Sequence, residues 1–327
     1  MRFLLRFLFI SVIKLSTLAQ LPLSVASDTI KPLAKDTSWK LPGLFSISAS
    51  QTSLSNWQGG GQDNFAIMGL FNFNPVYRKD GREWISKIDL QYGLIKPGAA
   101  KLYRKNVDQI FLLTKVTTPA FAKHFSYSLQ SDFRTQFAPG FNYNDDSIVG
   151  RATSDFLAPG YIQLALGLDY KPVEYFSATF APAAGKVTLV TRQHLADAGA
   201  FGVEKATFDS LGNVLTPGKR IRYEFGGRLI LKFKKDIMKN VALDSYLDLF
   251  SNYSHNPTNI DVIFNNAFTF KINKFFSASI ISQILYDDDI KTQRDWDKDG
   301  LYTKPEDING PRLQALTTFA IGFGYKF

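Results

Sequence analysis

The chain has 327 residues, no cysteine and a net charge of +9 at neutral pH. Without cysteine it has no disulfide, thiolate metal site, cysteine nucleophile or lipid-modified terminal cysteine. Composition is 45% hydrophobic and 14% aromatic, yet mean hydropathy is only −0.09, and past residue 30 no uninterrupted apolar run reaches the roughly 18 residues a transmembrane helix needs.

At the amino terminus Arg2 and Arg6 precede an apolar stretch from Phe7, and small residues follow. Ser24 and Ala26 fit the −3 and −1 positions of a signal cleavage site, with Ala19 as a second candidate. Lys14 interrupts the apolar stretch and argues against an anchor. The expectation is a secretory signal over 1–26, then a periplasmic segment over 27–40 and a barrel over 41–327. The leader holds three bases and no acid, which leaves +6 on the mature chain. Those bases are dispersed over turns and alternate positions, and export removes the chain from DNA, so no nucleic-acid partner is expected.

From there the chain reads as a succession of β-strands, because apolar residues recur with period two. Segments 42–52, 64–78, 106–116 and 175–190 carry the pattern weakly. It is strong where Trp84, Ile88, Leu90, Tyr92 and Leu94 alternate with Lys87, Asp89 and Gln91, and where Phe125 to Phe137 alternates with Ser126, Ser128, Gln130, Asp132 and Arg134. Ile162 to Tyr170 follows, then Ile221 to Phe233 against Arg222, Glu224, Arg228 and Lys232. Val241 to Tyr253 alternates with Asp244, Tyr246, Asp248 and Asn252. The stretches 262–272 and 276–286 make a further pair. The chain closes on "RLQALTTFAIGFGYKF", whose alternate positions from Leu313 through Phe319, Ile321, Phe323 and Tyr325 to Phe327 are mainly apolar.

The fold class expected is therefore all-β: an antiparallel transmembrane barrel of about 12 strands, an even number as single-chain bacterial barrels require. Connections at 80–82, 171–174 and 272–274 are short, those at 117–123 and 234–240 are modest, and those at 138–159, 184–219 and 288–311 are long. Counting back from a periplasmic carboxyl terminus puts the three long loops outside the cell. Lipid supports this architecture because every backbone N–H and C=O in hydrocarbon needs an internal partner. A large soluble β-sandwich would explain the alternation but neither the leader nor the strand lengths.

The terminal strand resembles the carboxy-terminal recognition signal of bacterial outer-membrane barrels: a final Phe with aromatic or apolar residues at alternate positions before it. The resemblance implies an outer-membrane address and the barrel-assembly machinery as a partner. More widely, "NWQGGGQDNFA" (56–66), "LAPGYIQLALGLDYKP" (157–172), "FAPAAGKVTLV" (180–190), "FKINKFFSASIISQILYDDDI" (270–290) and "GPRLQ" (310–314) resemble a Bacteroidota family of outer-membrane proteins of unknown function. That resemblance implies the location and the barrel, and no catalytic residue.

Candidate chemistry is sparse. "WQGGGQD" at 57–63 lacks the Lys-Ser or Lys-Thr of a phosphate loop and reads as a hairpin loop. His124 is expected on an inner face with Ser126 and Ser128; same-face neighbours on a strand sit roughly 7 Å apart, and no motif supplies the third member of a hydrolytic triad. His194 and His255 read as loop residues. Arg222, Glu224, Arg228, Lys232, Asp244 and Asp248 are expected to face the lumen, either lining a hydrated pore or forming an ion network that seals it. The sharpest motif is "DWDKDGLYTKPE" in the last long loop. Asp295, Asp297 and Asp299 would supply carboxylates, Leu301 a carbonyl, Thr303 a further oxygen and Glu306 a bidentate carboxylate, a Ca²⁺-type set. No helical pattern enters it and Pro305 precedes Glu306, so it departs from an EF-hand.

Function at this stage divides into a scaffold or subunit of an outer-membrane protein complex, a narrow channel for small polar or anionic solutes, and, distantly, an outer-membrane lipid hydrolase. Expected partners are outer-membrane lipid, the assembly machinery and other outer-membrane or surface proteins.

Overall fold

The structure, a computed structural model, describes residues 38–52, 64–98, 100–144, 147–287, 289, 291–293, 308–311 and 313–326. Twelve antiparallel strands form one continuous wall. They are β1 (Gly43–Thr52, preceded by Ser38–Lys40), β2 (Asn64–Phe73, continuing as Val76–Lys79), β3 (Arg82–Pro97) and β4 (Arg104–Pro119). Next come β5 (Phe125–Thr135), β6 (Gly160–Val173), β7 (Phe176–Leu189) and β8 (Ile221–Met238). The last four are β9 (Val241–Asn252), β10 (Ile260–Lys271), β11 (Phe276–Tyr286) and β12 (Gln314–Lys326). Each strand pairs with its neighbours in sequence, and β12 returns to β1 from Leu44↔Lys326 to Ile47↔Phe323, closing the barrel. That seam has 4 residue pairs, against at least 10 between β2 and β3 or between β11 and β12.

β1 and β2 each break once, at Pro42 and at Pro75, residues that cannot donate to the ladder. The breaks are bridged from outside: Asn74 N–H donates to the Pro42 carbonyl and Ser86 N–H to the Pro75 carbonyl, each at 2.9 Å.

Alternation sorts the side chains into two environments. In β8, Ile221, Tyr223 and Phe225 are exposed on the outer surface, whereas Glu224, Arg228 and Ile230 point inward and are buried. The outer surface of β6 is likewise Ile162, Leu164, Leu166 and Tyr170. The molecule is thus apolar outside and polar inside, the reverse of a water-soluble barrel.

The two ends differ. Five connections are short: Asp80-Gly81, 120–124, Glu174-Tyr175, Lys239-Asn240 and 272–275. Asp80 and Gly81, at φ 50° and 75°, make the left-handed two-residue turn that Asp-Gly favours between twisted strands. The opposite end carries 136–159, 190–220 and 287–313, together with the shorter 98–103 and 253–259. Among the described residues no helix is long and apolar enough to cross a membrane.

Three boundaries differ from the sequence reading. β7 runs to Leu189, so the long loop is 190–220 and not 184–219. A register shift between Ala181 and Ala184 changes which parity faces inward, which is why 175–190 carries the period-two pattern only weakly and overlapped the expected loop. β8 continues through Lys234, Lys235 and Asp236 to Met238, leaving a two-residue turn where 234–240 was expected. β4 extends to Pro119.

At Gly167 the same irregular stretch brings backbones together: a Cβ there would stand 2.1 Å from the Phe180 oxygen and 2.6 Å from the Ala181 Cα. Gly69, on the outer face, has nothing within 4 Å. Gly167→Val is therefore expected to lose about 1–3 kcal/mol or more in denaturant unfolding, and Gly69→Ala to gain about 0.5–1 kcal/mol by restricting the unfolded chain. Equal tolerance of both would contradict the strand register.

Candidate functional site

The polar lumen is organised in three tiers. Nearest the short turns, Lys87 pairs with Asp89 at 2.9 Å and Asn72 donates to the same carboxylate. Lys115 on β4 reaches Asp169 on β6 at 2.6 Å and Thr179 on β7 at 2.9 Å. Lys232 lies 5.7 Å from the centre of the Tyr246 ring, and Lys234 pairs with Asp244 at 3.6 Å.

The middle tier is built on Arg228. Its Nη1 donates to Asp132 on β5 at 2.7 Å, while Nε and Nη2 grip Asp248 on β9 at 2.9 and 2.7 Å. The Tyr246 hydroxyl donates to Asp248 at 2.9 Å. The contact with Asp132 leaps over β6 and β7, so it crosses the interior as well as running along the wall. Arg228, Asp132 and Asp248 are only 3–4% exposed. Beside them the Arg134 guanidinium stacks 5.5 Å from the Phe111 ring.

Burial extends around the barrel. Asn72, Gln91, Gln109, Gln130, Thr179 and Gln283, from six strands, are all buried in the interior. Several of these groups lack a protein hydrogen-bond partner among the described residues, including the whole Gln109 amide and the Gln91 and Gln283 nitrogens.

The third tier lies at the loop end. Lys186 sits between Asp261 at 3.1 Å and Glu224 and Asp287, each at 3.6 Å. Arg222 contacts Glu224 at 3.2 Å, pairs closely with Asp289, and donates to the Gly202 carbonyl at 2.9 Å. Gly202, at φ 80°, takes a left-handed backbone that favours glycine where it meets the Arg222 guanidinium. Residues 200–202 are therefore held against the mouth of the lumen.

Above that mouth the loops form a small core of their own. Val190, Leu195, Ala196 and Val203 pack with Ala158, around a helix at Gln193–Asp197 and a 3-10 turn at Ala200–Gly202. Arg192 pairs with Asp155, and the His194 ring shares a 2.7 Å hydrogen bond with the Ala152 carbonyl. The Gln193 amide and the Gly218 N–H both donate to Asp197, holding its carboxylate below the usual range. Farther along, Asp108 accepts from the Phe137 and Ala138 N–H groups and from Lys105, anchoring the start of the 136–159 loop.

The six charges named from sequence thus occupy one interior, but in separate tiers. Arg228 and Asp248 pair directly, Arg222 and Glu224 lie together at the mouth, and Lys232 and Asp244 stand toward the turns. Sequence reasoning did not single out Asp132, Lys115, Lys186, Asp169 or Asp261, although each occupies an inward parity. His124 corrects an expectation: it is exposed in the 120–124 turn at φ 69°, not on the inner face with Ser126 and Ser128. The strand begins after it, at Phe125. The Ca²⁺-type set of Asp295, Asp297, Asp299, Leu301, Thr303 and Glu306 lies outside the described residues, as do the leader and 57–63.

A family described as "Protein of unknown function (DUF3078)" matches residues 49–141. Among curated proteins none matches. Solved structures similar to this chain include the COG4313 outer membrane channel from Pseudomonas putida F1, at 11% identity and TM-score 0.38, covering 93% of this chain and 100% of the other. The translocator domain of the autotransporter NalP from Neisseria meningitidis is 8% identical over 88% of this chain and 87% of its own, with TM-score 0.28. A TodX monoaromatic hydrocarbon channel mutant is 7% identical over 90% and 91%, with TM-score 0.32. Likenesses this distant transfer nothing to this chain.

Arg228→Met strands two buried carboxylates and is expected to lower stability by about 3–5 kcal/mol in denaturant unfolding. Replacing Asp132 and Asp248 by Leu in the same chain should restore most of the loss. A cost under about 1 kcal/mol for the single variant would contradict the geometry.

Proposed function

We propose that this protein is an integral outer-membrane β-barrel of non-enzymatic role that serves as a scaffold or subunit of a membrane protein complex. The observation that carries this reading is the Arg228 network: an ion cluster crosses the lumen with side chains that water scarcely touches. A barrel of about 12 strands is narrow enough for side chains to fill. The membrane location is supported by the apolar outer surface, which in water would be far larger than a monomer ordinarily exposes, and by a closed wall that meets the backbone demand of hydrocarbon. With the short turns facing the periplasm, the packed loops 136–159 and 190–220 become the contact surface on the outside. β12, which closes the wall, is the strand proposed to be read by the assembly machinery, and the kinship with Bacteroidota outer-membrane proteins belongs to the same reading. Among the described residues, His124 stands apart from Ser126 and Ser128 in an exposed turn.

A second reading is a narrow channel for small polar or anionic solutes. The observation favouring it is the set of interior amides, such as Gln109, without protein partners, since such groups are ordinarily met by water. Single-channel recording in planar bilayers separates the two. The parent protein should be silent, and a stable charge-selective current from it would replace the scaffold by the channel.

We further propose that the Asp295–Glu306 loop binds Ca²⁺ through the six residues named above and stiffens the outer loops. Calorimetric titration should give a dissociation constant on the order of 10⁻⁴–10⁻³ M. Asp297→Ala should abolish that binding, and identical titrations of parent and variant would remove the calcium site.

A further inference from the structure

Ring contacts gather at the short-turn end. Trp39 lies 5.2 Å from Tyr77 and 5.5 Å from Trp84. Phe125 meets Phe121 at 5.6 Å and Tyr170 at 4.8 Å, Tyr175 meets Phe233 at 5.8 Å, and Phe323 meets Phe275 and Phe276, both at 5.6 Å. This is the girdle that marks a membrane–water interface.

Just beyond the girdle, the strand ends and turns from β6 to β11 carry Lys171, Lys235, Lys239, Lys271 and Lys274. Adjacent turns are tied into one surface: Lys234 N–H donates to the Tyr175 carbonyl and Lys271 N–H to the Asn240 carbonyl, each at 2.8 Å. The carboxylates on this arc are Glu174 and Asp236, while Asp244 belongs to the lumen, where it faces Lys234. Bases are therefore in excess here, five lysines against two carboxylates. The Lys235 ammonium lies 4.4 Å from the Tyr175 ring centre and that of Lys274 lies 4.9 Å from Phe275. Long basic side chains lying against interfacial aromatics place their charge at the level of lipid head groups.

We infer that this arc is a binding surface for the phosphate head groups of anionic phospholipid in the leaflet that meets the short turns. The inference rests on the membrane reading above. Both charge and height select lipid: the ammonium groups border an apolar wall, which a soluble acidic partner would have no reason to approach. Bound lipid would fix the depth and tilt of the barrel and favour the orientation in which the short turns meet the leaflet richer in phosphatidylglycerol-type lipid.

The test uses the full chain purified in mild detergent, inserted into phosphatidylcholine vesicles with and without phosphatidylglycerol, and read by native mass spectrometry of retained lipid. The parent should retain phosphatidylglycerol over phosphatidylcholine, and the preference should fade in high salt. A Lys235→Gln, Lys239→Gln, Lys274→Gln variant should fold normally, because all three are exposed, and should lose affinity about fivefold for each lysine removed. Equal retention of the two lipids, or undiminished retention by the variant, would overturn the inference alone. Displacement by soluble glycerophosphate at matching concentration would make this a free-phosphate site and overturn the lipid assignment. A parent that enters neither kind of vesicle would contradict this inference and the membrane reading together.

Discussion

Everything in this structure depends on the hydrogen-bond demand of the backbone. A β-sheet with two free edges leaves N–H and C=O groups that water must satisfy, and lipid cannot. Here the edges are removed by pairing β12 with β1, from Leu44↔Lys326 to Ile47↔Phe323. The Ser46 hydroxyl adds a 2.7 Å hydrogen bond to the Phe323 carbonyl at this seam. Once the ring is closed, side-chain parity has only two destinations, an outer apolar wall and an inner polar lumen.

The lumen then poses the opposite problem. A narrow barrel brings inward side chains from distant strands into contact, and charges placed there lose water. Isolated, each would be costly; arranged as Arg228 with Asp132 and Asp248, or Lys186 among Asp261, Glu224 and Asp287, the charges satisfy one another. Such networks add little net stability over an apolar filling, so their presence is better explained by what they do: they bridge the interior at fixed heights. Together with Arg222, which binds the Gly202 carbonyl and Asp289, they connect the wall to the folded loops outside.

Period-two alternation made the barrel, its strand number and the asymmetry of its ends legible from sequence, because an outward-facing residue and a lumen-facing residue differ so sharply. The reading failed where that contrast lapses. Around Ala181 and Ala184 the parity shifts and the side chains are small, so the 175–190 strand read only weakly and its end was also counted into the 184–219 loop. Beyond Phe233 the strand leaves the apolar zone, and Lys234 to Asp236 looked like a loop. His124 shares the parity of Ser126, but the chain turns before it. Inward charges could be named one by one, whereas their partners could not. Arg228 and Asp132 are 96 residues apart and meet only because β6 and β7 close the gap between their strands. The Val190–Leu195–Val203 core was invisible for another reason: an irregular loop has no period to read.

The central claim is a closed cylinder with lipid outside and a packed interior. Because the chain has no cysteine, single spin labels can be placed along β8 at positions 229 to 233 in reconstituted membranes. Collisions with dissolved oxygen should be frequent at 229, 231 and 233, while 230 and 232 should be shielded from both oxygen and a water-soluble nickel chelate. A scan without two-residue alternation would contradict the barrel, and free access of the chelate at 230 and 232 would contradict the packed lumen.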